Sequence, residues 1–326
     1  MVEIHRPPSA SQSDRLAPGR FVMTRRIGTG AFGDVYLGVD RDSLEEVAIK
    51  VEPGACKHPL LLYEARVYKS LVGRPGFPKL RYCGIESRRK VLVMDLLGPS
   101  LGHLHTVCGG RFSLKTTFML AEQLVDRLEV LHSEGYIHRD IKPENVLLGR
   151  GKDAGIVHLI DYGLSKRFQD ATTGKHIQYR DNKTLKGTMC YASLNAVRGA
   201  ELSRRDDLEA VGYMLMFFLR GSLPWLHLPE TFTKRAAYEA LYHAKGSLSV
   251  PDLCADLTEG RRELSDYLMY CRGLGFEECP DYSFLRGIFS GALAGLGHER
   301  DEVFDWTSPG DGLPRIDSLD SVPSSH

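Results

Sequence analysis

Asp140, Lys142 and Asn145 place a carboxylate, an ammonium and a carboxamide within six residues, in the stretch His138-Arg139-Asp140-Ile141-Lys142-Pro143-Glu144-Asn145. A short β-rich segment, Ile156 to Ile160, then leads to a second carboxylate in Asp161-Tyr162-Gly163. One carboxylate of such a pair can orient a hydroxyl. The other, with the amide, can hold hard divalent cations through oxygen. Alone, the pattern also fits an ordinary turn with scattered charge, so the rest of the chain must decide.

Upstream, a strand expected from Phe21 runs into Ile27-Gly28-Thr29-Gly30-Ala31-Phe32-Gly33-Asp34-Val35. Glycines at 28, 30 and 33 let a backbone pass close to phosphate oxygens and donate N–H groups to them. The G-x-G-x-x-G spacing also marks dinucleotide-binding folds. Here Val35-Tyr36-Leu37-Gly38-Val39 continues as strand rather than helix, which favours a glycine-rich hairpin. Lys50 closes the apolar run Val47-Ala48-Ile49. With Pro59 in its first turn, a following helix puts Leu60, Glu64, Val67, Tyr68 and Leu71 on one face. A glutamate on that stripe is either at an exposed margin or buried with a cation, and Lys50 is the candidate partner.

Val91 to Met94 reads as another strand, and Asp95-Leu96-Leu97-Gly98-Pro99 ends it as a hinge between a small β-rich lobe and a larger one. Leu114 to His132 has helical apolar spacing. Leu164 to Asn195 is a long polar connection with a basic excess (Lys166, Arg167, Arg180, Lys183, Lys186) that suits an acidic substrate. Asp207 to Leu219 is nearly all apolar and should be a central helix, with Asp207 as its cap. Further helices are expected over residues 233–245, 260–273 and 282–293.

The 326 residues are 26% charged and 42% hydrophobic, and 42 basic residues balance 42 acidic ones. That balance gives no sign of a nucleic-acid partner. The seven cysteines are dispersed without a C-x-x-C pair, which suggests neither zinc nor a disulfide framework and fits a reducing compartment. The start lacks an apolar h-region, and Val211 to Leu219 is too short to span a bilayer. Residues 1–20 are expected to be a flexible arm and 306–326 a disordered tail.

Over roughly residues 21–305 the chain resembles the eukaryotic protein kinases, and within them the casein kinase 1 family. The narrower likeness rests on LLYEARVYK, VLVMDLLGPSL, Ser193-Leu194-Asn195, the stretch Ser203 to Trp225, and PDYSFLR at Pro280 to Arg286. The vaccinia-related and tau-tubulin kinase groups fit less well. The resemblance implies an α+β bilobal fold, with an N-lobe over 21–95 and a C-lobe over 99–305. It implies ATP and Mg2+ as cofactors. Asp140 would be the catalytic base or hydroxyl-orienting residue, Lys142 would stabilise the transferring phosphoryl group, and Asn145 and Asp161 would bind the metal. Lys50 and Glu64 would form the ion pair that holds the α- and β-phosphates. Nucleotide contacts are further implied along Ile27 to Val35 and at Ala48, Met94, Asp95, Leu97 and Leu147. Adenine would pair with backbone groups of Asp95 and Leu97. Lys142 with Thr188 is similar to the serine/threonine-selective pattern, and Asp207 would support the catalytic-loop backbone.

Three departures from the family stand out. Asp-Tyr-Gly replaces Asp-Phe-Gly, adding a hydroxyl that needs a partner. Gly187-Thr188-Met189-Cys190-Tyr191-Ala192-Ser193 carries cysteine where the family has an arginine that reads a phosphorylated or acidic residue upstream of the target. Ala237 stands where a lysine commonly serves the same pocket. Losing two cations should weaken phosphate reading, with Lys183 and Lys186 as candidates to compensate. Thr184 and Ser193 are candidate activation-segment acceptors, although the resemblance implies activity without that step.

The leading expectation is a serine/threonine kinase acting on protein sites that are acidic or already phosphorylated. It would be monomeric, without a transmembrane segment, and located in cytoplasm, nucleus or both. A pseudokinase or scaffold, and a small-molecule phosphotransferase, are the competing readings.

Overall fold

The computed structural model describes residues 15–17, 19–30, 33–54, 60–184, 187–226 and 234–307. The chain divides into two compact units. The first holds the residues up to Leu97 together with Asp161–Gly163, and the second holds Gly98–Ile160 and the chain from Leu164 onward. The division falls inside the stretch expected to be a hinge.

Among the described residues, the first unit is an antiparallel sheet in the order β1-β2-β3-β4-β6-β5 with one α-helix. Its strands are β1 (Arg15–Leu16), β2 (Phe21–Gly30), β3 (Gly33–Asp40), β4 (Glu46–Glu52), β5 (Leu80–Glu86) and β6 (Arg89–Asp95). Strand alternation explains the core: Val47, Ile49 and Val51 share one face of β4 and pack with Phe21, Met23, Val91 and Val93. Leu16 belongs to the same core and is 1% exposed, so the expected arm gives way to structure before residue 20. Leu16 in the core, Ala17 packed beside it and the pairing of Arg15 and Leu16 with β2 hold that segment on the sheet. Helix α1 (Leu61–Ser70) lies on β5 and β6 and buries Leu61, Glu64, Ala65, Val67 and Tyr68. Pro59, expected in its first turn, lies outside the described residues.

The second unit is mainly helical. Helix α2 is Leu101–Val107 and α3 is Leu114–Ser133; α4 is Leu194–Arg198, α5 Arg204–Arg220 and α6 Lys234–Gly246. Helix α7 is Val250–Leu253, α8 Arg261–Gly273 and α9 Tyr282–Gly295. The short strands are β7 (Tyr136–Ile137), β8 (Val146–Leu148), β9 (Val157–Leu159) and β10 (Lys166–Arg167), with β8 paired to β9 and β7 to β10. Helix α3 packs on α5 and α9, and α5 on α8. Helix α5 is buried along most of its length, as its apolar sequence requires. Its start differs from expectation. Asp206, not Asp207, folds back to accept the Ser203 N–H at 2.8 Å, and Asp207 faces away to other partners.

The packed chain also runs past residue 305. Trp306 is 9% exposed, stacks on Phe304 with ring centroids 4.9 Å apart and contacts Phe112. The Phe304 and Trp306 rings together anchor the segment. Of the tail expected over 306–326, residues 308–326 lie outside the described residues.

Candidate functional site

In the first unit, the glycine-rich stretch is an antiparallel hairpin. Gly28 pairs with Val35, Thr29 with Asp34 and Gly30 with Gly33. The Thr29 hydroxyl donates to Asp34 Oδ1 at 2.9 Å. Gly33 has φ +135°, and a Cβ there would overlap the Val51 carbonyl, so only glycine fits. Ile27, Gly28, Thr29 and Gly30 thus sit on β2, and Gly33, Asp34 and Val35 on β3; Ala31 and Phe32 lie outside the described residues.

The face of β4 opposite the core carries Ala48 and Lys50. Lys50 Nζ lies 2.8 Å from Glu64 Oε2 and 2.9 Å from Asp161 Oδ1. Lys50 and Glu64 are 9% and 1% exposed, so one ammonium is shared by two carboxylates largely away from water. Burial opposes the Lys50 charge, but Glu64 and Asp161 outweigh it and hold the ammonium above its usual range. Burial drives the Glu64 carboxyl up against the pull of Lys50. Asp161 has φ +65°, a left-handed conformation that a non-glycine residue keeps only where its surroundings impose it. Its N–H donates to Tyr68 Oη at 3.2 Å, and the Tyr68 and Tyr162 rings meet edge-on at 4.8 Å. The aromatic body of Tyr162 is therefore fully buried against α1.

Met94 is buried on β6 opposite Ala48, and Leu97 is also buried. The Asp95 amide donates to Lys79 O at 3.1 Å, and its carboxylate accepts from Arg81 Nε at 2.7 Å and Lys79 N at 3.0 Å. Of the backbone groups expected to meet a base, the Asp95 amide is therefore already used.

In the second unit, the loop after β7 is pinned from below by Asp207. Asp207 Oδ2 accepts from the His138 N–H at 2.7 Å, and Oδ1 from the Arg139 N–H at 2.8 Å. His132 Nε2 also reaches Asp207 Oδ2, at 3.0 Å, and His132 Nδ1 meets Tyr282 Oη at 2.7 Å. Those partners fix the tautomer: Nε2–H donates to the carboxylate, and Nδ1 accepts from the phenol. Burial lowers the His132 pKa, which keeps the ring neutral. Arg139 has φ +69°, and its guanidinium is spent on the carbonyls of Leu164 at 2.7 Å and Ser165 at 3.3 Å.

That scaffold presents Asp140, which is 8% exposed. Its Oδ1 accepts from Thr188 N at 2.8 Å and Thr188 Oγ1 at 2.9 Å. Its Oδ2 lies 3.2 Å from both Lys142 Nζ and Asn145 Nδ2, and the same amide donates to Asp140 O at 2.9 Å. The Asn145 carboxamide spends its nitrogen in this way, so the atom it presents elsewhere is an acceptor oxygen. Leu147 sits on β8, bridged to Ser100. Gly187 has φ +87°, and a Cβ would overlap the Arg139 carbonyl, so glycine lets the chain close on the loop before Thr188.

Two groupings therefore emerge: Lys50, Glu64 and Asp161 in the first unit, and Asp140, Lys142, Asn145 and Thr188 in the second. Sequence reasoning missed His132, Tyr282 and Gly187. Tyr282 is 150 residues from His132, too far for any local spacing to link them. Of the cations named as compensators for Cys190 and Ala237, Lys183 is less free than expected: with Lys166 it shares the Glu201 carboxylate, at 3.2 Å and 2.6 Å respectively, and Lys186 lies outside the described residues.

A family model described as protein kinase domain matches residues 21–259, and the chain belongs to that family. Protein kinases are phosphotransferases that use ATP and a divalent metal and act on protein substrates. The β-rich first unit and helical second unit are the bilobal kinase fold. No helix among the described residues is long and apolar enough to cross a membrane.

Proposed function

We propose that this protein transfers the γ-phosphoryl group of ATP to serine or threonine hydroxyls of proteins at acidic sites, as a divergent member of the casein kinase 1 family. The observation that carries this reading is the environment of Asp140. One of its oxygens is held by Thr188, and the other lies beside Lys142 and Asn145. A carboxylate so oriented can accept a hydrogen bond from an acceptor hydroxyl and aim its oxygen along the line of attack. Lys142, an ammonium beside that oxygen, meets the negative charge of the incoming phosphoryl group.

The remaining residues take matching roles. The hairpin glycines approach the phosphates, and Lys50, kept charged by Glu64 and Asp161, holds the α- and β-phosphates. Ala48, Met94 and Leu97 of the first unit and Leu147 of the second are the apolar residues assigned to the base, and the Asp95 contact would be through its carbonyl. No group of three or more His, Cys, Asp or Glu among the described residues forms a metal cage. Asp161 in the first unit and Asn145 in the second each offer a hard oxygen, one carboxylate and one amide, and these are the residues that would hold Mg2+. Bound there, Mg2+ would neutralise charge on the phosphate oxygens.

Preference for acidic sites is supported by the segment after β10. Backbone bonds from Lys183 N to Gly199 O and from Glu201 N to Arg180 O join two stretches that carry exposed Arg180 and Arg198, beside Lys183 paired to Glu201. With cysteine at 190 and alanine at 237, that general basic field replaces a dedicated phosphate pocket. The protein is expected to act as a monomer in cytoplasm or nucleus.

Transfer of labelled phosphate from Mg-ATP to casein and to acidic peptides, followed by identification of the modified residue, tests the reading. Phosphoserine and phosphothreonine are expected. Phosphotyrosine as the main product would overturn the acceptor assignment. Nucleotide binding without transfer to any protein would favour a scaffold.

A further inference from the structure

Lys245, in the last turn of α6, is a lysine with no exposed surface. Its Nζ donates to Cys190 O at 2.9 Å, to Met189 O at 3.4 Å and to Ala192 O. It also lies over two ring faces, 4.4 Å from the Tyr213 centroid and 4.6 Å from that of Trp225. Trp225 Nε1 donates to the same Cys190 carbonyl at 2.7 Å. Three carbonyls of one turn therefore converge on one cation inside an aromatic box.

The charged and titratable groups facing this box are Cys190 on the turn, Glu209 and Tyr213 on α5, and Arg272 on α8. Arg272 ties them together. Its Nε lies 3.1 Å from Glu209 Oε1, and its Nη2 reaches Tyr213 Oη at 2.7 Å and Lys245 O at 3.2 Å. Glu209 is thus engaged by Arg272 and Tyr213, and the Lys245 ammonium is held by carbonyl dipoles and ring faces. Burial lowers the Lys245 pKa to about 7, and a buried amine held this way is a poor choice for stability alone, since an apolar side chain of the same shape avoids the desolvation cost. What the cation does achieve is conformational: it makes carbonyls from three residues point to one spot.

The turn begins immediately after Thr188, which holds Asp140 Oδ1 with both its amide and its hydroxyl. We propose that Lys245 is a positioning residue for protein substrate: by gathering the Met189, Cys190 and Ala192 carbonyls it fixes the turn beside the acceptor hydroxyl and keeps Thr188 on Asp140. The inference rests on the kinase reading, with Asp140 as the group that meets the acceptor. It assigns Lys245 no contact with ATP.

The test compares the wild-type full chain with Lys245→Met, which keeps the apolar stem and removes the donors. Loss of charge-assisted hydrogen bonds should raise the KM for an acidic peptide about tenfold or more while leaving the KM for ATP within about twofold. Amide hydrogen exchange should quicken over residues 188–193. Trp225→Phe keeps a ring face but removes one donor to Cys190 O, and should move the peptide KM in the same direction by about threefold. This second variant decides the matter if Lys245→Met does not fold. An unchanged peptide KM, or a rise in both KM values by the same factor, would overturn the proposal. If the wild type transfers no phosphate, the kinase reading falls and exchange alone judges Lys245. Quickening confined to residues 188–193 supports its hold on the turn, and unchanged exchange refutes it.

Discussion

Thr188 gives two hydrogen bonds to a single oxygen of Asp140, from its amide at 2.8 Å and its hydroxyl at 2.9 Å. The amide bond is independent of the side chain, so substitutions at 188 can remove one donor and keep the other. Thr188→Val should lower kcat by roughly tenfold, the worth of one hydrogen bond to a charged group, with the KM for ATP unchanged. Thr188→Ser should stay close to wild type. Steady-state kinetics on an acidic peptide checks this, and equal losses in both variants would contradict a role for the hydroxyl.

Lys50 should matter to activity and stability for separable reasons. Removing its ammonium leaves buried Glu64 beside Asp161 without a shared cation. Lys50→Met should therefore destabilise the fold by ~3–5 kcal/mol in denaturant unfolding. It should also reduce kcat/KM by at least ~100-fold. Adding Glu64→Gln removes the stranded charge, so the double variant should regain stability without regaining transfer. Stability that falls further in the double variant would contradict this account.

Asp40 provides the acid dependence that is easiest to read. Hydrogen bonding from Arg20, whose Nε and Nη2 lie 3.0 Å and 2.8 Å from its oxygens, lowers its pKa to about 2. A carboxyl lowered on folding stabilises the protein above its unfolded pKa, and that contribution is lost as pH falls through the folded value. The Tm difference between wild type and Asp40→Asn should thus be largest near about pH 5 and shrink toward about pH 2. A difference constant over that range would contradict the assignment.

Much of this arrangement was legible in the sequence, for identifiable physical reasons. Val47, Ile49 and Val51 alternate with Ala48 and Lys50, so the strand and the opposite face of its lysine follow from the period of two. Glu64 on an apolar helical stripe pointed to a buried cation, and Lys50 occupies that place. Other features depend on contacts between distant segments. The Tyr282–His132–Asp207 chain joins α9, α3 and α5, and no local pattern encodes it. Asp206 and Asp207 are adjacent and identical in type, so only the backbone shows that one closes the helix start and the other holds the loop. Leu16, Phe304 and Trp306 lie in polar surroundings where average composition hid a few apolar anchors.

Cys190 offers a test of the proposed casein kinase 1 likeness. Its side chain is partly exposed, and the structure gives it no cationic role. Cys190→Arg should raise the rate on a phosphoserine-primed peptide relative to an acidic one by about tenfold, the scale of one charge-assisted pair. An unchanged ratio would show that phosphate reading does not depend on this position.

The central claim is that Asp140 directs phosphate transfer to a protein hydroxyl. Its most direct test is single-turnover transfer from Mg-ATP to an acidic serine peptide, with wild type and Asp140→Asn in parallel and ATP affinity measured separately. The account predicts a rate lower by at least ~100-fold in the variant, with ATP affinity within about twofold of wild type. Equal transfer rates in the two proteins would contradict it.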